Sequence, residues 1–275
     1  MKPGKPSVTA RFVAHTRAGL DRPEILTGDA AAELRLYRSL GSTPFPETKN
    51  FHDRMERRTR FFDRLTLAAI EGGGTQVVIV GAGYDGRPVR FASPGVTWFE
   101  VDHPSTQSDK RARLLDAGAD VGAIRFVAVD LTDGDLGAAL GAVGHDRARP
   151  SLFLVEGLLA YLPRPVADRV LRTLRHRAPP GSRMAAGFLV APRGTSTAYR
   201  LRHWTRQRMV AAIGEPWVNI YTSAEVDEAF AACGWATTVF HDTLQRYEGP
   251  GGVLIVGEPS DTLPPAVPPA PVRTQ

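Results

Sequence analysis

Residues 76–86, QVVIVGAGYDG, decide how the chain is read. Four apolar residues, Val77 to Val80, run directly into Gly81-Ala-Gly83-Tyr-Asp85-Gly86. A short, continuously apolar run rich in Val and Ile marks a strand buried on both faces of a parallel sheet. Gly81 and Gly83, lacking a Cβ, let the backbone turn tightly and come close to a ligand. Nineteen residues after Gly81 stands Glu100, near the end of a second strand-like run at 96–101. A glycine turn followed about 20 residues later by an acid is a nucleoside-binding arrangement, in which the carboxylate takes a ribose diol. Read alone, Gly81-x-Gly83-x-x-Gly86 also satisfies the dinucleotide fingerprint, so the rest of the chain must choose the cofactor.

Upstream of the turn, residues 7–18, 29–40 and 51–70 have helical spacing of apolar positions, and Gly72-Gly73-Gly74 ends the last of them. Met55, Phe62, Leu65 and Ala69 share a face of that third helix. Residues 1–74 are therefore expected to form an N-terminal helical cap within the same domain as the core at 75–258. In that core, strands and helices alternate. Strands are expected at 76–80, 96–101, 124–129, 151–155 and 183–190, with helices at 86–91, 105–117, 135–143 and 164–177 between them. This alternation predicts an α/β fold, a doubly wound parallel sheet. An extra helical segment is expected within 193–221, then a helix over 223–233 with Ser223 as its N-cap and Glu225 in its first turn. Two strands, 235–241 and 252–257, come next with no helix between them and predict a terminal antiparallel hairpin. From 259 to 275 the chain is Pro-rich and expected to be disordered.

Composition narrows the class. The chain has 275 residues, enough for one elaborated α/β domain. Its 34 Lys and Arg against 29 Asp and Glu leave a net charge of +5, spread through helical segments rather than gathered into a basic groove, which argues against nucleic acid. The single cysteine, Cys233, excludes an internal disulfide and a multi-Cys metal site, so no metal is expected. No apolar run has the length of a membrane span, and the first ten residues lack a signal-peptide core, so a cytoplasmic protein is expected.

Three features choose the cofactor. A hairpin closing a seven-stranded sheet is the arrangement of class I methyltransferases rather than of dinucleotide dehydrogenases. Acids stand at or just past four strand ends: Asp85, then Glu100 and Asp102, then Asp130, then Glu156. Those ends line the ligand crevice of a doubly wound sheet, and carboxylates there suit a sulfonium and an ammonium while repelling a pyrophosphate. Asp85 within the turn is also an awkward neighbour for phosphate. Six stretches, RTRFFD at 58–63, VVIVGAGYDGRPVRF at 77–91, WFEVDHP at 98–104, QSDKR at 107–111, VAVDL at 127–131 and VEGLLAYL at 155–162, together resemble the leucine carboxyl methyltransferase family. The likeness is to its bacterial branch of S-adenosyl-L-methionine-dependent O-methyltransferases, which includes polyketide-tailoring enzymes, and it covers roughly residues 7–258.

The resemblance implies S-adenosyl-L-methionine as cofactor. It assigns Arg58 to the methionine carboxylate, Gly81 and Gly83 to the floor, Glu100 to both ribose hydroxyls with Asp102 orienting the turn, Asp130 and Leu131 to the adenine, and Glu156 to the methionine end. Asp85 is read either as a ligand or as the holder of a backbone turn, and His103 as structural. The acceptor is expected to be a small molecule, probed by Tyr161, Tyr199, Arg200, His203, Trp204 and Trp217 between the N-terminal helices and the 195–220 insertion. Methyl transfer to a carboxylate needs no general base, whereas a hydroxyl needs one within hydrogen-bond reach. The chain is shorter than the eukaryotic enzymes that methylate a protein phosphatase, which favours a secondary metabolite. A non-catalytic S-adenosyl-L-methionine-binding module, an NAD(P)-dependent oxidoreductase and a nucleic-acid methyltransferase are the alternatives.

Overall fold

The apolar run at 76–80 is the middle of a seven-stranded sheet in the computed structural model, which describes residues 4–41, 48–191, 208, 211–212, 214–242 and 251–265. Helices α1 (Val8–Arg17), α2 (Ala30–Ser39) and α3 (Lys49–Glu71) precede the first strand. The core then runs β1 (Gln76–Val80), α4 (Arg87–Arg90), β2 (Thr97–Asp102), α5 (Pro104–Asp116), β3 (Ile124–Ala128), α6 (Leu136–Ala142) and β4 (Leu152–Val155). A 3₁₀ turn at Leu159–Tyr161 leads into α7 (Arg164–Arg175) and β5 (Arg183–Val190). Helix α8 (Ser223–Ala232) and strands β6 (Trp235–Asp242) and β7 (Gly251–Pro259) complete the described chain.

The strand order is β3-β2-β1-β4-β5-β7-β6. Strands β1 to β5 pair in parallel, with Gln76 opposite Thr97 and Val77 opposite Leu152, while β7 runs antiparallel to both β5 and β6. This is the class I methyltransferase fold, with the hairpin where the sequence placed it. The order reverses between β1 and β4, so the crevice of a doubly wound sheet opens at the carboxyl ends of those two strands.

Side chains alternate across the sheet because the strand period is two. Val78, Val80, Phe99, Val101, Phe153 and Val155 join one core with Leu140, Leu171, Leu174 and Phe230 from α6, α7 and α8. Val77, Ile79, Trp98, Leu152 and Leu154 join a second core with Leu36, Phe62, Val89 and Leu114 from the N-terminal half. The N-terminal helices therefore cap the same face that the α4 and α5 segments cover. Each starts on a side-chain cap: Ser7, Asp29 and Thr48 accept from backbone N–H groups in the first turn. Helix α3 buries Met55, Thr59, Phe62, Asp63 and Thr66, a helical stripe that contains a carboxylate.

Two details differ from the sequence reading. The N-cap of α8 is Thr222, not Ser223: its hydroxyl accepts from the Glu225 N–H at 3.3 Å while the Glu225 carboxylate accepts from the Thr222 N–H at 2.6 Å. That reciprocal box requires a three-residue spacing, which Thr222 and Glu225 have and Ser223 and Glu225 lack. The Pro-rich tail begins ordered. The Ser260 N–H reaches the Gly234 carbonyl at 2.9 Å, Arg175 Nη2 donates to the Ser260 carbonyl at 2.6 Å, and Pro264 is buried against Gly234. Among the described residues no helix is long and apolar enough to cross a membrane.

Candidate active site at the strand ends

The glycine turn is fastened to β2. The N–H groups of Gly81 and Ala82 both donate to the Val101 carbonyl, at 2.9 and 3.0 Å, and the Gly83 N–H donates to Asp102 Oδ2 at 2.6 Å. Gly81 and Gly83 have φ of 72° and 50°, the left-handed region that an L side chain rarely adopts. A Cβ on Gly81 would lie 3.0 Å from the Leu158 side chain, and one on Gly83 would lie 2.8 Å from the Ala10 methyl of α1. The missing Cβ atoms thus admit Leu158 and α1, which close on the turn from either side.

Asp85 turns away from solvent. Its Oδ1 accepts from the Arg87 N–H at 2.9 Å and its Oδ2 holds the Arg87 guanidinium, with Arg17 Nη1 3.4 Å away. Burial raises such an acid, but Arg87 and Arg17 outweigh it and hold Asp85 below the usual range. Asp85 thus holds the backbone at Arg87, one of the two roles the sequence reading gave it.

Asp85 is one corner of a buried ion network. Glu156, just past β4, accepts from Arg17 Nη2 at 2.6 Å, Arg58 Nε at 2.7 Å and Arg87 Nη1 at 2.7 Å. Burial opposes its ionisation, but the three guanidiniums prevail and hold it well below the carboxylate range. Asp63 accepts from Arg87 Nε at 2.7 Å and from Arg22 through both oxygens, at 2.9 and 3.1 Å. Glu33 accepts from Arg22 Nη1 at 2.6 Å and Tyr37 Oη at 2.8 Å, with Arg90 Nε 3.1 Å away. Five guanidiniums thus meet four buried carboxylates, and Arg90 also lies 3.9 Å from the exposed Glu24 carboxylate, so the charges balance. Arg58 is the network's most exposed guanidinium, 24% exposed. Its Nε is fixed by Glu156, and its Nη1 and Nη2 lie 3.4 and 3.6 Å from where a Cβ of Gly157 would stand.

The two acids of β2 differ. Glu100 shares a face with Trp98 inside the sheet and is 1% exposed. Lys110 Nζ donates to Glu100 Oε1 at 2.6 Å and to the Asp85 carbonyl at 2.6 Å. Glu100 Oε2 is buried with no hydrogen-bond partner among the described residues. Burial pushes this carboxyl up to about 7 despite Lys110. Asp102 is the last residue of β2 and half-buried. Its oxygens are pre-aimed by one backbone N–H each, Gly83 at 2.6 Å and His103 at 2.7 Å. His103 Nδ1 in turn caps α5 through the Ser105 N–H.

Past β3, Asp130 Oδ1 accepts from the Thr132 N–H at 2.9 Å and from its hydroxyl at 2.8 Å, and the carboxyl is exposed. Leu131 is buried in the α6–α8 core, its carbonyl held by Arg169 Nη2 at 2.7 Å. On the other side of the turn, the Tyr161 hydroxyl bonds the side chains of Trp217 and Thr9, and burial holds it above the ordinary phenol range. The other acceptor-side candidates, Tyr199, Arg200, His203 and Trp204, and most of the 195–220 insertion lie outside the described residues.

A family model described as leucine carboxyl methyltransferase matches residues 12–175. The chain belongs to the leucine carboxyl methyltransferase family. A relative in Mycobacteroides abscessus, named as a candidate S-adenosyl-L-methionine-dependent methyltransferase, is 36% identical over 242 residues, covering 82% of this chain and 78% of its own. A Mycolicibacterium paratuberculosis protein of the same name is 47% identical over 135 residues. That match covers 48% of this chain and 43% of the relative, so the chain spans under half the length of this relative. The crystal structure of a candidate methyltransferase from Thermobifida fusca superposes with a TM-score of 0.62 at 20% identity, covering 94% of this chain and 97% of that one, a likeness of fold.

The sequence does not mark which of the site's cations are buried. Arg87 and Lys110 stand within the family-like stretches at 77–91 and 107–111, and Arg17 and Arg22 outside them, yet all four are buried. Asp63 had a signal: it stands on the apolar stripe of α3, where a carboxylate must find a cation.

Proposed function

We propose that the chain is an S-adenosyl-L-methionine-dependent O-methyltransferase acting on a carboxylate or hydroxyl of a small molecule, in secondary metabolism. The observation that carries this reading is Arg58. In a leucine carboxyl methyltransferase family chain, its guanidinium is pinned at one nitrogen by Glu156 and partly exposed at the crevice, the most exposed guanidinium of the network. That is a prepared grip for the methionine carboxylate, charge-assisted and fixed in orientation.

In this reading Asp102, rather than Glu100, takes the ribose diol. It ends its strand, is half-buried, and each oxygen keeps a lone pair beyond the N–H that aims it. Glu100 lies one pleat deeper and supports the turn through Lys110, which also holds the Asp85 carbonyl. Asp130 and the backbone at Leu131 stand at the next strand end, on the adenine side of such a ligand. When bound, S-adenosyl-L-methionine supplies a methyl group on a sulfonium, open to in-line attack. The chain's own part is alignment and exclusion of water, worth about 7–11 kcal/mol for well-oriented groups. On the acceptor side this reading places Tyr161, whose hydroxyl bonds Trp217 and Thr9. The net charge of +5 does not favour nucleic acid, because it is spread through helical segments rather than gathered into a groove.

The test is ligand-dependent melting followed by transfer of labelled methyl to a panel of small acids and phenols. S-adenosylmethionine and S-adenosylhomocysteine should raise Tm, by about 2.7 kcal/mol of stabilisation at a hundredfold excess over Kd, and NAD and NADP should not. Asp102→Asn should weaken S-adenosylhomocysteine about tenfold or more, since a hydrogen bond to a charged group contributes roughly 1.5–3 kcal/mol. Stabilisation by NAD alone would sink the reading.

A further inference from the structure

Glu215 lies in the segment that enters α8, more than two hundred residues from the N-terminus of α1, yet its carboxylate is built into that terminus. Oε1 accepts from the Val8 N–H at 2.8 Å, and Oε2 accepts from the Thr9 N–H at 3.1 Å, from the Ser7 hydroxyl at 3.2 Å and from the Thr9 hydroxyl. The side chain is buried, and every partner it has among the described residues belongs to the first turn of α1. A carboxylate here satisfies the orphan N–H groups of the helix start and faces the positive end of its dipole.

Helix α1 is the element that covers the glycine turn. The Ala10 methyl lies 2.8 Å from where a Cβ of Gly83 would be, and Arg17 at the far end grips Glu156 and Asp85. Ahead of the helix, the Ser7 N–H donates to Thr106 Oγ1 at 3.1 Å and the Ser105 hydroxyl donates to the Lys5 carbonyl at 3.2 Å. Residues 5–9 therefore cross from the start of α5 to Glu215. The segment carrying Glu215 is itself anchored: the Val218 and Asn219 N–H groups donate to the Ala160 carbonyl at 2.8 and 3.2 Å, and the Tyr221 N–H to the Leu189 carbonyl at 2.9 Å. The result is a closed circuit over the ends of β1, β2, β4 and β5. Arg17 fixes one end of its roof with buried ion pairs, and at the other end Glu215 takes most of the bonds of the first turn, beside the Ser7–Thr106 bond.

We propose that Glu215 is a positioning residue that latches α1 over the methyl-donor site, so that release of the donor product requires this carboxylate to let go of the helix start. The proposal rests on the reading of the crevice as a methyl-donor site. Opening at Glu215 loosens the first turn of α1, leaving the Ser7–Thr106 and Lys5–Ser105 bonds ahead of it, while the Arg17 end stays tied, which makes the α1 start the exit.

The test is stopped-flow displacement of S-adenosylhomocysteine by excess S-adenosylmethionine, with equilibrium titration alongside. Glu215→Ala should release S-adenosylhomocysteine about tenfold faster or more, because each hydrogen bond to a charged group is worth more than a tenfold factor. Association should accelerate with it, so that affinity falls less than the release rate rises, a pattern that mere loss of stability does not produce. Glu215→Gln keeps one accepting oxygen and should fall between; Thr9→Val, which removes one donor and leaves the carboxylate, should do the same. If Glu215→Ala does not fold, these two variants decide. Wild-type release rates in the folded variants would overturn the latch while leaving the donor site standing. Failure of the wild-type chain to bind S-adenosylhomocysteine would overturn both.

Discussion

The two faces of the sheet are held by different forces. Toward α6, α7 and α8, the strands meet apolar side chains almost throughout: Phe153, Val155 and Phe188 against Leu171, Leu174 and Phe230. Toward the N-terminal helices, an apolar layer of Ile79, Leu154, Leu36 and Phe62 gives way at the strand ends to Arg17, Arg22, Arg87 and Arg90 interleaved with Glu33, Asp63, Asp85 and Glu156. Hydrophobic contact is non-directional, so the first face sets stability without aiming any single group. Buried ion pairs give little net stability, because desolvation offsets attraction. Their directional bonds do fix where Arg58 and Glu156 point. The face that must aim side chains is the one built from charges.

The comparison breaks most sharply at Arg87. Its guanidinium serves Asp63, Asp85 and Glu156, so Arg87→Ala should cost about 3–5 kcal/mol by denaturant unfolding at neutral pH, the range for removing one partner of a buried pair. The loss should depend on pH. All three acids are held below their ordinary values of 3.8 and 4.5, so the stability they contribute is present above those values and is lost as pH falls through and below them. The wild type should therefore lose more on acidification than the variant, and parallel pH profiles would contradict the account.

On the apolar face, Leu171→Ala should cost about 3 kcal/mol, within the range for a buried leucine. That cost should be indifferent to pH between about 4 and 7, as expected for a deletion that touches no titrating group, and S-adenosylhomocysteine affinity should stay at the wild-type value. A large drop in affinity would mean the two faces are not separable.

The smallest effect sharpens the distinction within β2. Glu100 has its folded pKa raised from 4.5 to about 7, so its ionisation disfavours the folded state and wild-type stability should decline as pH rises across that interval. Glu100→Gln should flatten the decline when Tm is followed against pH. The same variant should leave S-adenosylhomocysteine affinity within about threefold of wild type, well short of the loss expected for removing a hydrogen bond to a charged group.

The strands were legible in the sequence because burial on both faces leaves an unbroken apolar run, as at 76–80 and 152–155, and because Gly and Pro mark where each run stops. The one N-cap read from the sequence, Ser223, is in fact Thr222, a choice between adjacent hydroxyls that only the position of Glu225 resolves. Arg58 and Glu156 were legible as members of a motif. Their contact was not, since 98 residues separate them.

The sequence alone determined the sheet, its closing hairpin, the glycine turn and the acids at the strand ends, because each depends on periodicity, backbone freedom or chain order. Tertiary structure alone decided which charges are buried, that Glu100 lies beneath the turn while Asp102 ends the strand, and that Glu215 holds the start of α1. Those depend on where distant helices come to rest on the sheet. A charged side chain in a sequence carries no mark of the partner that will take it out of water.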